Sequence, residues 1–209
     1  STTGKPDSTG SVGTAVEGAI KEVSELLDKL VKAVKTAEGA SSGTDAIGEV
    51  VDNAAKAADK ASVTGIAKGI KEIVEAAGGS EKLKAVAAAT GENNKGAGKL
   101  FGKAGAGAGG DSEAASKAAG AVSAVSGEQI LSAIVTAADA AEQDGKKPEE
   151  AKNPIAAAIG NKDGGADFGD GMKKDDQIAA AIALRGMAKD GKFAVKEDEK
   201  EKAEGAIKG

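Results

Sequence analysis

The 209-residue chain has no cysteine, histidine, tryptophan or tyrosine, and only three phenylalanines, Phe101, Phe168 and Phe193. Without thiol or imidazole there is no such nucleophile, no histidine general base and no Cys/His metal centre. Carboxylates, lysines and hydroxyls remain, so an enzyme is disfavoured, and the chain is read as non-catalytic with no cofactor and no metal. The missing cysteines also rule out disulfides. No run of about 18 apolar residues occurs, so no segment reads as a membrane-spanning helix. Net charge is −5, from 28 basic and 33 acidic residues. The two signs are interspersed, which argues against the concentrated basic footprint that nucleic acid requires.

Alanine and glycine are abundant, together more than a third of the chain. Alanine favours helix and permits close helix approach, while glycine costs about 1 kcal/mol in a helix interior. Stability should therefore rest on a few Ile, Leu and Val positions. Val12, Val16, Ile20, Val23, Leu26, Leu27, Leu30, Val31 and Val34 recur at steps of three and four, which predicts a long amphipathic first helix ending at Gly39. A second helix is expected to carry Ile47, Val50, Val51, Ala54, Ala58 and Ala61, and a third Ile66, Ile70, Ile73, Val74 and Ala77. Ser80 is suited to cap a short fourth. Residues 91–112 are glycine-rich and read as a loop anchored by Leu100 and Phe101. Helix resumes near Glu113. Ser126-Gly-Glu-Gln129 has capping-box spacing. Pro148 suits a first helical position, and Asn153-Pro154 introduces Ile155-Ala-Ala-Ala-Ile159. Residues 160–171 form a second glycine-aspartate loop, and a charged helix is expected from Lys196 to Lys208. No period-two run appears. The expected fold is all-α: a bundle of amphipathic, Ala-rich helices joined by Gly-rich loops, with little or no β. Residues 1–11 read as a flexible leader and residues 12–208 as one helical domain.

Several motifs fail on context. Gly105-Ala-Gly-Ala-Gly-Gly110 spells GxGxxG, but no strand precedes it. Gly96-Ala-Gly-Lys99 is followed by Leu100, where a phosphate loop needs Ser or Thr. Asp167-Phe-Gly169 imitates a kinase motif that depends on a histidine the chain lacks. Asp163, Asp167, Asp170, Asp175 and Asp176 do not follow the order of a calcium loop and read as solvated turn and helix-start acids.

Met172–Lys196, MKKDDQIAAAIALRGMAKDGKFAVK, is the most informative segment. Asp175 and Asp176 suit a helix start. Residues 178–184 are apolar on every face, as in a buried helix. Lys189 is expected in the last turn, with Gly191 as a left-handed cap. This segment resembles the sixth invariable region of the VlsE surface lipoproteins of Lyme disease Borrelia, within the variable major protein family. Residues 95–101, 114–141 and 152–160 resemble other invariable regions of that family's central cassette. Residues 40–60, 105–111 and 161–170 fall where the family places variable loops. Glu17-Gly-Ala-Ile-Lys21 recurs as Glu204-Gly-Ala-Ile-Lys208, matching the short direct repeats that bracket the family's cassette.

The resemblance implies a surface antigen of the cell outer membrane that evades host antibodies by varying its loops. It implies a lipid anchor and constant terminal segments, neither present in this chain, so the chain reads as a cassette within a longer protein. Its first and last helices are then short of partners, and a weak homodimer is one expected result. The polar ends of the Met172–Lys196 segment, Lys173, Lys174, Asp175, Asp176, Lys189, Asp190 and Lys192, are expected to be antibody-accessible around a hidden centre. A second reading is an adhesin for host matrix or glycosaminoglycan. It rests on the Lys146–Lys147 and Lys173–Lys174 pairs.

Overall fold

The computed structural model describes residues 5–40, 48–53, 56–140 and 144–208. The helices are α1 (Lys5–Ala40), α2 (Lys60–Ala76), α3 (Ser80–Lys84), α4 (Ser112–Ser123), α5 (Gly127–Ala138), α6 (Pro154–Ile159), α7 (Asp175–Met187) and α8 (Lys200–Lys208). Two 3-10 turns, Lys95–Leu100 and Asp170–Met172, interrupt the connections. Local chemistry sets most boundaries. Asp59 and Asp111 cap α2 and α4 by accepting from Ser62 N at 2.7 Å and Ala114 N at 2.9 Å. Ser126 and Gln129 form the expected capping box of α5. Asn153 accepts from Ile155 N and Ala156 N, with Pro154 at the first position of α6.

The core has two lobes. In one, Phe101 meets Phe168 and Phe193 with ring centroids 5.1 and 5.7 Å apart, so all three phenylalanines of the chain form one cluster. Leu100, Met172, Val195 and the small inner face of α4 (Ala114, Ala115, Ala118, Ala121) close around it. In the other, Val63, Ile66, Ile134, Ile155, Ile159 and Leu184 pack together. Helix α7 is the wall between them: Ile178 and Ala181 serve the first lobe, Ala180 and Leu184 the second. Its alanines let α4, α5 and α6 lie close on several sides, which explains why this helix has no polar face.

The mostly helical fold is as expected, with corrections. Val50 and Val51 are not helical. They form a two-residue strand, β1, paired in parallel with Phe193–Ala194 (β2), in the register Val50↔Phe193 and Val51↔Ala194. Both valines are buried, and β-branched side chains suit such a pairing. Ala58 lies in an extended stretch before α2, and Ala61 opens α2 itself; Ile47 and Ala54 lie outside the described residues. Helix α1 starts at Lys5, so residues 5–11 are helical and not a flexible lead-in, with Pro6 in the first turn where its missing N–H costs nothing. Residues 1–4 lie outside the described residues. Pro148 opens a turn, not a helix. Helix α7 ends at Met187, and Asp190, not Gly191, takes the left-handed conformation (φ 59°). Gly191 is needed for another reason: a Cβ there would run into the Arg185 carbonyl.

Candidate functional site

The loops expected to vary meet on one surface. Residues 102–110 lie against residues 160–165. Lys103 N donates to the Gly164 carbonyl, and a Cβ added at Gly102 would overlap that same carbonyl. A Cβ at Gly109 would overlap the Gly165 carbonyl. Gly105 (φ 77°) donates to Val195 O at 2.9 Å and lies beside the Asp52 carbonyl, which brings the described part of the 40–60 stretch to the same place. Between these locked backbones, Lys103, Ala106, Lys162, Asp163, Ala166 and Asp167 are exposed. Each loop thus alternates fixed glycines with free side chains, an arrangement that composition alone does not show.

The Met172–Lys196 segment runs beneath. Its centre is buried as expected, with Ile178, Ala179, Ala180, Ala181 and Leu184 all within 1 % of zero exposure. Its two ends differ. Asp175 and Asp176, expected to be accessible, are only 4 % and 7 % exposed. Residues 89–94 fold over them. Asn94 Nδ2 donates to Asp175 Oδ1 at 2.9 Å, and Ala89 N donates to Asp176 Oδ2 at 3.1 Å. The Asp175 N–H donates to Gly91 O at 3.0 Å. The acids stand in the first turn of α7 and clasp a loop, which removes them from solvent. Lys173 and Lys174 are half-buried and converge on Glu92, whose carboxyl is held below its ordinary range by the Lys174 hydrogen bond first and the charge of Lys173 next. At the other end Lys189 is exposed, while Asp190 and Lys192 are half-buried in ion pairs with Lys56 (3.9 Å) and Glu49 (3.2 Å).

The remaining lysine pair is not assembled with these. Lys146 is exposed and Lys147 half-buried, and each faces acid: Lys146 helps lower Asp144, behind Lys60, and Lys147 helps lower Asp163, behind Lys162. The aspartates of residues 163–176 are separated. Asp163, Asp167 and Asp170 each pair with a lysine, and no group of three or more acids among the described residues is placed to hold a metal. Nor is any single helix among them long and apolar enough to cross a membrane.

One residue escaped the sequence reading. Arg185 is the only arginine of the chain and is 1 % exposed. Its Nε donates to Lys192 O at 2.9 Å, Nη1 to Ala158 O and Ile159 O at 2.9 and 3.1 Å, and Nη2 to Lys56 O at 3.1 Å. The guanidinium lies 5.7 Å from the Phe101 ring centroid. Burial pulls its pKa down to about 10, so it stays charged at neutral pH. A planar fork of donors suits such a ring of carbonyls, where an ammonium would reach fewer. The available signal was one Arg among 28 basic residues, inside an otherwise apolar helix.

Comparison with known proteins matches this arrangement to relatives. The chain is 38% identical over 187 residues to variable large protein 4 and 39% identical over 191 residues to variable large protein 17, both of Borrelia hermsii. These alignments take in 86% and 88% of this chain but 52% and 53% of the relatives, so the chain spans about half their length. The crystal structure of the Lyme disease variable surface antigen VlsE of Borrelia burgdorferi superposes with a TM-score of 0.90 at 92% identity, covering 94% of this chain and 73% of that one. The family model for Borrelia lipoprotein matches residues 2–209, and the chain belongs to that family.

Proposed function

We propose that this chain is the antibody-facing part of a variable surface antigen, carried at the outer membrane of the cell by an anchor outside these residues, and that it performs no catalysis. The observation that supports this best is the division of labour between layers. The α7 wall and its two lobes tolerate little change, because large-to-small core substitutions cost about 2–5 kcal/mol. The exposed side chains of residues 103–107 and 162–167 contribute nothing to that core and so change freely. Host antibodies raised against the folded surface then bind mostly what differs between variants. The locked glycines refine the reading: variation is allowed at Lys103, Ala106, Lys162, Asp163, Ala166 and Asp167 and resisted at Gly102, Gly109 and Gly164. The polyanion reading draws less support, since Lys173 and Lys174 share Glu92 and the other pair faces Asp144 and Asp163.

The test is repeated sequencing of the expressed locus during a clonal infection, in hosts with and without antibodies. Changes enriched under antibody pressure at the exposed loop positions, with the three glycines kept, support the proposal. Changes spread evenly through helices and locked glycines, or a sequence that stays constant, overturn it.

A further inference from the structure

Helix α1 carries an apolar stripe that the described residues leave largely uncovered. Val16, Ile20, Val23, Leu27, Leu30 and Val34 follow one another at alternating steps of four and three, the seam of a coiled coil. Leu30 is half-buried, whereas Ile20 is 64% exposed and Val16, Val23, Leu27 and Val34 are 47% exposed or more. The Ala33–Ala37–Ala40 edge meets the body of the protein, where Gly65 and Gly69 of α2 admit Ala40 and Ala37, and Leu26, Lys29 and Lys32 line a groove against Glu72, Glu75 and Ala76 of α2. A seam with this spacing fits another helix and leaves the choice of helix open.

Charge narrows the choice. Residues 17–28 carry four acids (Glu17, Glu22, Glu25, Asp28) against Lys21, a net −3; residues 29–38 carry Lys29, Lys32 and Lys35 against Glu38, a net +2. The macrodipole does not account for this polarity, because its influence fades within the first turn and the helix starts at Lys5. Glu72 and Glu75 of α2 share a groove with Lys29 and Lys32, yet among the described residues no ion pair joins them. A helix that offers acid against this basic half and base against this acidic half is the same helix, reversed. We infer that two copies of the chain pair through α1, antiparallel, about a two-fold axis beside Asp28. The apolar seams face each other, and each acidic half lies on its partner's basic half.

Sedimentation equilibrium of the full 209-residue chain tests this. The expected mass at micromolar to millimolar concentration is twice 20.3 kDa. Leu27→Glu returns it to one chain, while Val122→Glu, at an exposed apolar site on α4, does not. If Leu27→Glu loses helix by circular dichroism, Glu22→Lys with Glu25→Lys takes its place. That pair weakens the dimer several-fold, and adding Lys32→Glu with Lys35→Glu restores it. Because the chain has no cysteine, single spin labels read the direction. At 1.5 Å rise per residue, Asp28→Cys labels lie side by side, whereas Glu17→Cys labels lie about 33 Å apart along the axis. A single-chain mass up to about 1 mM overturns the inference and leaves the stripe to a helix from beyond this chain. So do equal distances at both labels, which mean parallel pairing, and a dimer indifferent to Leu27→Glu.

Discussion

Helices α1 and α7 are built from much the same apolar vocabulary and end in opposite environments. In α1, 36 residues long, Val12, Val16, Ile20, Val23, Leu27 and Val31 are all more than half exposed. In α7, only 13 residues long, even the charged Asp175, Asp176 and Arg185 are buried. Apolar content therefore does not decide which helix is inside. What decides it is whether neighbours can approach from every side. Alanines 179, 180 and 181 give α7 that access on several sides, while the small edge of α1 that packs on α2 is confined to its C-terminal end, at Ala33, Ala37 and Ala40. A polar group can enter the crowded helix only if the surrounding backbone satisfies it, as the carbonyls around Arg185 do.

Substitutions sharpen this contrast. The largest effect is expected at Arg185→Ala, which removes the donors to the Lys56, Ala158, Ile159 and Lys192 carbonyls and empties the space beside Phe101; about 3–5 kcal/mol of stability should be lost in urea unfolding. Arg185→Lys should recover only a minority of that loss. Leu184→Ala, in the second lobe, should cost about 2–5 kcal/mol by the same measurement. At the loop surface, Gly102→Ala should cost about 1–3 kcal/mol because its new methyl must displace the Gly164 carbonyl, while Ala106→Ser next to it stays within about 0.5 kcal/mol. In α1, Val16→Ser should also fall within about 0.5 kcal/mol when measured at concentrations that keep the chain monomeric. If Val16→Ser were as costly as Leu184→Ala, the contrast between the helices would be wrong. The smallest effect concerns acid. The Glu92 carboxyl sits below its unfolded value because Lys174 and Lys173 favour the charged form. Its contribution is present above the ordinary glutamate pKa and is lost as pH falls through the lowered folded value. Glu92→Gln should therefore flatten slightly the acid limb of a stability–pH curve and change nothing near neutrality.

The contrast also marks how far the sequence could be read. The capping box was legible because it is local, Ser126 and Gln129 fixing a helix start within four residues, whereas Ser80, also expected to cap, is the first residue of α3 and no side-chain bond caps that helix. The burial of Ile178, Ala179, Ala180, Ala181 and Leu184 was legible because no polar face interrupts residues 178–184, although Ile182 and Ala183 stay partly exposed. Asp175 and Asp176 were not, since what hides them is a loop more than eighty residues away, and their placement at a helix start suits solvent equally well. The Val50–Val51 strand was illegible for a related reason: two residues carry no period, and the pairing partner is at Phe193–Ala194. Among candidate site residues, Lys189 is exposed but lies in a turn beyond the end of α7 and not in its last turn, whereas the lysines at 173 and 174 are tied down by a distant Glu92.

The glycines that join residues 102–109 to residues 164–165 make the two loops one structural unit. A change that rewrites one loop keeps the fold only if the new segment brings glycine to the contact, or if the facing loop changes with it. If this face varies as proposed, its variants are filtered by fit before any antibody meets them, and diversity accumulates as compatible pairs of loops, not as independent ones.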